Sequence, residues 1–574
     1  MPRGIDLILL HPPSVYDFRE KPIFWGPIAD VVPSSTIFEM YPIGFSSISE
    51  VLSRHKIKTK IINLAYLMLA SADFDVEQCI KSLNAKAFGI DLHWLCHAHG
   101  SIEIAKICKK YHPDIPVIFG GYSATFFYKE IMETYPQVDY IVRGDSTELR
   151  VLELMRCIIY DFPKDHIANL TWRQKNGKIY TTPLEQPAQK LDDYSNNYLN
   201  LFKIGLKNCD IKSQIPFLGW WGYPITAIMT VRGCTQHCAI CGGSAYSMNR
   251  LCNRQKPSYR SAEKIINDVK KVSSYSKAPI FIIGDINQAG SDYANTILSG
   301  LKKLHIKNEI VFELFDSTSE EFFKRAAESI KNLNFEMSPE THDESMRKWG
   351  GKNYLNREME QNIQRALDNG ANKFDLYFMT GIPKQDYESV MKTIEYCETL
   401  MERFDSRLMP FISPLAPFID PCSLVWDNPS KYGYTLFCKT LEDHRKNLLQ
   451  PSWKYILSYE TKWMSRDQIV ESTYEAAKRL NMLKVKYGQI RKGVGQKIDT
   501  RIKKSVELIK KIDTILLNEK DEAQREVKLK NLHEDMKKYS YSTICEDDEI
   551  KWNSRKGSFH YIKILLSFIL GRLN

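Results

Sequence analysis

The chain has 574 residues, more than one ordinary domain holds, and its 43% hydrophobic and 11% aromatic content is ample for packed cores. Charged residues make up 26%, as in a soluble protein, and the net charge of +10 (79 basic against 69 acidic) is weak ground for a polyanion partner. An odd number of cysteines, 13, and a start (Met1-Pro2-Arg3-Gly4) that runs straight into a strand without a secretory leader argue for a reducing cytoplasm.

Strand and helix patterns alternate over the first part of the chain. Leu7 to Leu10, Thr59 to Leu64, Ala87 to Leu92, Val117 to Phe119 and Tyr140 to Val142 are apolar runs. Helical spacing separates them, as in Phe45 to Ser53, Ile102 to Tyr111 and Phe126 to Thr134. This order predicts a doubly wound parallel sheet, in which ligands bind outside the carboxyl ends of the strands. The loops there are polar or rich in glycine. They read His11-Pro12-Pro13 after the first strand and Asp91-Leu92-His93 after the third. Gly120-Gly121-Tyr122-Ser123 follows the fourth, and Arg143-Gly144-Asp145-Ser146-Thr147-Glu148 the fifth. Pro42-Ile43-Gly44 opens the first helix. Next, Leu170 to Thr182 alternates around Asn176-Gly177, a hairpin signal.

The most specific feature follows the apolar run Ile225 to Val231. Cys234, Cys238 and Cys241 stand at C-x3-C-x2-C spacing on one short loop. Three thiolates suit an iron–sulfur cluster better than a closed zinc site, because structural zinc usually takes four ligands and no fourth Cys or His completes a familiar pairing. A 4Fe–4S cubane on three cysteines keeps one iron open to a small molecule. The loop resembles the cluster motif of radical S-adenosylmethionine (SAM) enzymes. The resemblance implies that SAM chelates the open iron through its amino and carboxylate groups and is cleaved to a 5′-deoxyadenosyl radical. It also implies that Ile240 lies near the adenine.

The first segment resembles the cobalamin-binding domain found ahead of many radical SAM cores. By that resemblance Pro12, Pro13, Gly44, Gly120, Gly121, Ser123, Arg143, Gly144, Asp145 and Glu148 bind the corrinoid, the glycines letting backbone approach a flat ring. The cobalt-ligating Asp-x-His-x-x-Gly motif of carrier-type corrinoid domains is absent after the first strand. Asp91-Leu92-His93 begins like it, which makes His93 a candidate for the lower face, with His97 and His99 behind it.

From Ile225 onward six strand patterns recur, at Ile225–Val231, Ile280–Gly284, Ile310–Phe315, Leu333–Met337, Phe374–Thr380 and Leu408–Ile412. They match the partial (β/α)6 barrel of the radical SAM core, whose chemistry sits at the carboxyl ends of the strands. The resemblance assigns Gly284 and Asp285 to the SAM amino group. It gives Glu336 and Ser338 to the ribose or amino acid part and Gly381 to the adenine.

Ser413-Pro414-Leu415-Ala416-Pro417-Phe418-Ile419-Asp420-Pro421 is a stiff strap able to cross the barrel mouth. Beyond it the chain turns helical and rich in lysine. Ser465 to Gln468 reads as a capping box opening a helix through Leu483, and Arg501 to Lys538 keeps helical spacing. Tyr561 to Leu570 is too short to span a bilayer and is compatible with an amphipathic helix against the body, a partner or a membrane surface. The expected organisation is a cobalamin-binding α/β domain at 1–155, a linker with a β-hairpin at 156–224, a radical SAM partial barrel at 225–420 and a helical region at 421–574.

Together the cofactors implied are a 4Fe–4S cluster, SAM and cobalamin. The implied activity is methylation of an unactivated carbon (or a phosphorus), with a cyclisation or rearrangement without methyl transfer as the alternative. A non-catalytic corrinoid or redox-sensing protein is the reading from another class. The implied partners are a small-molecule, lipid or peptide substrate and an electron donor such as a ferredoxin or flavodoxin. Neither nucleic acid nor a transmembrane segment is expected.

Overall fold

The computed structural model describes residues 4–30, 34–539, 543–552, 560, 564 and 565. Most of the stretch Tyr561 to Leu570, where an amphipathic helix was expected, lies outside the described residues.

Five parallel strands form the first sheet: β1 (Ile5–His11), β2 (Thr59–Asn63), β3 (Ala85–Asp91), β4 (Val117–Gly120) and β5 (Tyr140–Val142). All are nearly continuous apolar runs, as strands covered on both faces must be. The Asn176-Gly177 hairpin forms β6 (Leu170–Arg173) and β7 (Ile179–Thr181), which extend this sheet antiparallel, in the order β2-β1-β3-β4-β5-β6-β7. The hairpin is thus the edge of the first sheet, because β6 completes the hydrogen bonds that β5 leaves open.

The second sheet begins at β8 (Thr226–Met229). A short ribbon follows, β9 (Val231–Arg232) with β10 (Ser258–Tyr259). Then come β11 (Ile280–Ile283), β12 (Glu309–Leu314), β13 (Asn332–Glu340), β14 (Lys373–Thr380) and β15 (Leu408–Pro414). The six main strands are parallel in the order β15-β14-β13-β12-β11-β8, an open partial barrel. Outward residues such as Phe312, Phe335, Phe374 and Leu376 are buried under helices, whereas Met229, Ile283, Glu313, Glu336, Tyr377 and Met379 are partly exposed toward the lumen. β13 runs three residues past the expected Met337, with a register irregularity between Met337 and Glu340. Glu336 therefore lies inside the lumen, four residues short of the strand end.

Helix Arg466–Lys486 starts at a reciprocal Ser465–Gln468 capping box. It packs against β15 and helix Tyr387–Arg403. Helices Lys492–Asn518, Glu522–Asn531 and His533–Tyr539 follow. Residues 543–552 lie against the open side of the barrel between β15 and β8. There Lys484 pairs with Glu549 at 2.7 Å, both side chains almost fully buried, and Lys373 Nζ donates to the Glu549 carbonyl at 2.6 Å. The Trp552 ring stacks on Phe281 at 5.9 Å, and the Tyr223 hydroxyl donates to the Trp552 carbonyl at 3.0 Å. Breaking a buried ion pair from one side strands the other charge. Lys484→Met is therefore expected to lower unfolding free energy by roughly 3–5 kcal/mol, read from a urea melt; an unchanged midpoint would show that this contact does not hold the barrel's open side shut.

Candidate active site at the cluster loop

The three cysteines lie on the loop between β9 and helix Ala245–Cys252, whose N-cap is Ser244. That loop is held from several sides. The Ala239 amide donates to the Gly350 carbonyl at 2.8 Å. A side chain on Gly351 (φ +99) would collide with the His237 carbonyl and come within 3.0 Å of the Cys238 Cα, so only glycine lets this turn approach. From the proline-rich strap, Asp420 Oδ2 accepts the Gly242 amide at 2.8 Å, and the Val425 amide donates to the Ala239 carbonyl at 3.0 Å.

The sulfurs receive backbone donors of their own. The Gln236 amide donates to Cys234 Sγ and the Gly243 amide to Cys241 Sγ, each at 3.3 Å. Burial raises the Cys234 thiol, pushes Cys238 up to about 11 and pushes Cys241 up to about 12. Cys241 is exposed, and the nearby Asp420 carboxylate adds to the rise of its thiol. The Cys234 charge raises Cys238, and both raise Cys241, so the three thiolates lie close enough to repel one another. Backbone amides and Lys352, which is paired with Glu340 at 2.8 Å, offset this at Cys234 and Cys238. A donor set of mutually repelling thiolates with amides aimed at sulfur fits a cationic metal group. No three His, Cys, Asp or Glu side chains among the described residues converge on a single ion. Thiolates on separate corners of a cubane are not required to meet at one point.

Two buried ion pairs join this loop to the first sheet. Arg232, two residues before Cys234, binds Glu148, which also accepts the Ser47 hydroxyl at 2.7 Å. Arg254, after the loop, binds Asp145 and donates to Ser258 Oγ at 2.6 Å and Ser146 Oγ at 3.1 Å. The carboxylates of Asp145 and Glu148 are thus engaged in cross-domain pairs. Arg143 lies over the Tyr128 ring and donates to the Thr182 carbonyl, and the Gly144 amide donates to Thr125 Oγ1 at 3.0 Å.

On the rim of the first sheet, the loop of Pro12 and Pro13 folds onto the start of helix Ala98–Tyr111, where the Gly100 amide donates to the Ser14 carbonyl at 3.1 Å. Gly121 (φ +108) lets the β4 loop close on the β3 loop, since a Cβ there would stand 2.5 Å from the His93 Cα. Gly120 leads into that turn, and the Ser123 amide and hydroxyl both donate to the His93 carbonyl, at 3.0 and 3.1 Å. The His93 ring stacks on Tyr122 at 4.8 Å beside Trp94, which is 52% exposed. Burial pulls the imidazole down to about 4, so it is neutral at pH 7. His97 instead engages the Phe38 carbonyl at 3.0 Å, and His99 accepts the Tyr16 amide at 3.2 Å. Nothing lies within 4 Å of where a Gly44 side chain would point. An open glycine and a neutral imidazole beside aromatic faces at the sheet's carboxyl edge fit a flat macrocycle.

At the barrel mouth the assigned SAM contacts differ in availability. Asp285 is buried and already accepts Asn287 N and Nδ2 and Phe315 N, each at 2.9 Å. The Gly284 amide donates to Glu313. Both backbone groups of Gly381 are engaged, its amide by Gln385 at 2.8 Å and its carbonyl by the Tyr434 hydroxyl at 2.7 Å. The Ser338 carbonyl accepts Lys352 Nζ. Ile240 packs half-buried against the core. Glu336 faces the lumen, its carboxyl raised well above the usual range by burial and by Glu313 and Asp375.

The comparisons agree with this arrangement. A B12 binding domain model matches residues 30–152, and a radical SAM superfamily model matches residues 228–397. The chain is a cobalamin-binding radical SAM family protein. Its radical SAM catalytic domain carries the cluster loop. Among solved structures, the radical SAM methyltransferase TsrM from Kitasatospora setae, with cobalamin and a [4Fe-4S] cluster bound, superposes with TM-score 0.56 at 12% identity. The match covers 84% of this chain and 89% of that one. The cobalamin-dependent SAM radical enzyme OxsB, with aqua-cobalamin bound, gives 0.54 at 12% identity over 100% and 80%. At such identities these likenesses concern the fold. By sequence the chain is 22% identical over 313 residues to cytidylyl-2-hydroxyethylphosphonate methyltransferase of Streptomyces wedmorensis, covering 47% of this chain and 57% of that protein. It is 24% identical over 183 residues to anaerobic magnesium-protoporphyrin IX monomethyl ester cyclase of Rubrivivax gelatinosus, covering 31% and 30%. The chain thus spans little more than half of the first relative and under a third of the second. No helix among the described residues is long and apolar enough to cross a membrane.

Sequence reasoning passed over Arg232, Arg254, Asp420 and Glu313. A signal for Glu313 was present, since a lone carboxylate inside the apolar run Ile310 to Leu314 must face something polar. The arginines and Asp420 have partners 84, 109 and 178 positions away, which periodicity does not reveal.

Two outcomes follow. Gly351→Ala should leave the fold intact but lower the iron and acid-labile sulfide retained after anaerobic reconstitution; full retention would mean the Gly350–Gly351 turn does not support the loop. Glu313 is raised from its ordinary 4.5 to about 7, chiefly by burial. The folded chain then holds a proton that the unfolded chain loses, so Glu313 costs stability as pH climbs from 4.5 to 7. In ligand-free protein, the melting-temperature advantage of Glu313→Gln over wild type should grow from pH 5 to pH 8. A constant difference would count against a buried carboxyl.

Proposed function

We propose that this protein is a cobalamin-dependent radical SAM enzyme of the cell interior that methylates an unactivated carbon, or a phosphorus, of its substrate. The observation that carries the reading is the junction itself: Arg232 and Arg254 flank the cysteine loop and reach Glu148 and Asp145 at the carboxyl edge of the first sheet. A corrinoid-type rim and a cluster loop tied together by two buried ion pairs suit chemistry that passes a group between two cofactors. When bound, the cluster with SAM supplies one-electron radical generation, and cobalamin supplies a methyl group.

The chain's own residues have four tasks. Cys234, Cys238 and Cys241 hold the cluster as thiolates, and the Gln236 and Gly243 amides stabilise charge on sulfur. Ser338, nearer the strand end, is the residue we assign to SAM's ribose or amino acid part, while Glu336 lies deeper in the lumen. With Asp285 and the backbone of Gly381 already engaged, binding through them would require local rearrangement. The neutral His93 imidazole, with Gly44 and the glycines of the β4 loop, lines the face assigned to the corrin. The strap at Asp420 closes over the loop, which limits water where a reactive carbon radical would otherwise be quenched.

In oxygen-free reconstitution with SAM and a strong reductant, wild type should form 5′-deoxyadenosine. Cys238→Ala should lose the cluster's visible absorbance and SAM cleavage while still binding cobalamin. Cleavage that persists in this variant rejects the cluster assignment. Products heavier by one methyl support methylation, whereas products with no methyl gain across substrates favour cyclisation or rearrangement.

A further inference from the structure

The inward faces of three neighbouring strands carry a row of acids. Glu313 on β12 is in register with Glu336 on β13, and Glu336 with Asp375 on β14. Adjacent strands stand about 4.8 Å apart, so the three carboxyl groups are side by side. Flanking them at the same level are Met409, aligned with Asp375, and the aligned pair Ile283 and Met229 on the other side. Lys373 reaches Asp375 at 3.0 Å. Among the described residues neither Glu313 nor Glu336 has an ion-pair partner.

A second observation points into the same space. Asn334, two residues before Glu336 on the same face of β13, is 0% exposed, and neither its Oδ1 nor its Nδ2 has a hydrogen-bond partner. A buried amide that makes none of its bonds is costly unless a ligand or water completes it. Its neighbours in register are Val311 and Lys373, one layer beneath the acid row. The lumen thus offers two carboxyl groups without a counter-ion, Glu313 also accepting the Gly284 amide, above an unsatisfied amide and between apolar walls.

We infer that this lumen is a subsite for a positively charged nitrogen group, an ammonium or guanidinium, carried by the substrate. Glu313 and Glu336 accept its N–H donors, and Asn334 Oδ1 accepts a further one from below. Charge-assisted bonds in a closed space of this kind select strongly for a cation over a neutral isostere. The inference rests on the radical SAM reading, since it takes the lumen for the substrate chamber. SAM's own amino group is a competing occupant, but the resemblance puts it against the cluster. Glu336 lies four residues below Glu340, whose partner Lys352 lies near Cys234 and Cys238, a drop of roughly 13 Å along the strand.

Equilibrium dialysis of the anaerobically reconstituted enzyme at saturating SAM, with agmatine as guanidinium probe and 1-pentanol as neutral control, tests this. Agmatine should bind saturably and pentanol should not. Glu313→Gln and Asn334→Leu, each checked by circular dichroism for folding, should weaken agmatine at least about tenfold more than they weaken SAM. Two results overturn the subsite: no saturable agmatine binding to wild type that cleaves SAM, or losses of SAM and agmatine affinity in equal proportion. A wild type that makes no 5′-deoxyadenosine rejects instead the function proposed above, whatever agmatine does.

Discussion

Everything at the candidate site depends on two arginines that cross from one sheet to the other. Arg232–Glu148 and Arg254–Asp145 are almost wholly out of water. Burying such pairs adds little net stability, because desolvation offsets attraction. Their use is geometric. An arginine fork accepts a carboxylate in few orientations, and a wrong register leaves four charges unpaired. Placed just before the cysteine loop and just after the helix that follows it, the pairs tie the rim of the first sheet to that loop.

The loop has little regular structure of its own, so its shape comes from its surroundings. Gly350 and Gly351 approach it from the end of helix Glu344–Trp349, and Asp420 and Val425 from the strap. Each contact engages backbone amides or carbonyls near the cysteines and leaves the sulfurs free for a metal group. Burial and mutual repulsion raise the Cys238 and Cys241 thiols, a balance that a cationic metal group would shift toward thiolate.

The barrel's closure is equally indirect. Six strands leave an open side, and the chain covers it first with helix Arg466–Lys486, which starts 52 residues after Pro414, and then with the stretch at Glu549 and Trp552, where Glu549 is 135 residues after Pro414. The helical region that carries no recognisable motif is therefore part of the lumen's wall. Its lysines do not form only a solvated face: Lys484 is turned inward against Glu549.

By itself the sequence determined what is local. Apolar runs of three to seven residues set the strands to within a few positions, because side-chain burial on both faces admits little else. The Asn-Gly turn set its hairpin, Ser465 and Gln468 set a helix start, and the cysteine spacing set the donor chemistry. Tertiary structure decided which polar groups remain available. Asp145, Glu148 and Asp285 carry the composition of ligand-binding residues, yet their partners are Arg254, Arg232 and the amides of Asn287 and Phe315. Glu313, whose only sequence signal is a lone carboxylate in an apolar run, faces the lumen next to Glu336. A carboxylate's role depends on what meets it across tens or hundreds of residues, and that information exists only once the sheets have closed.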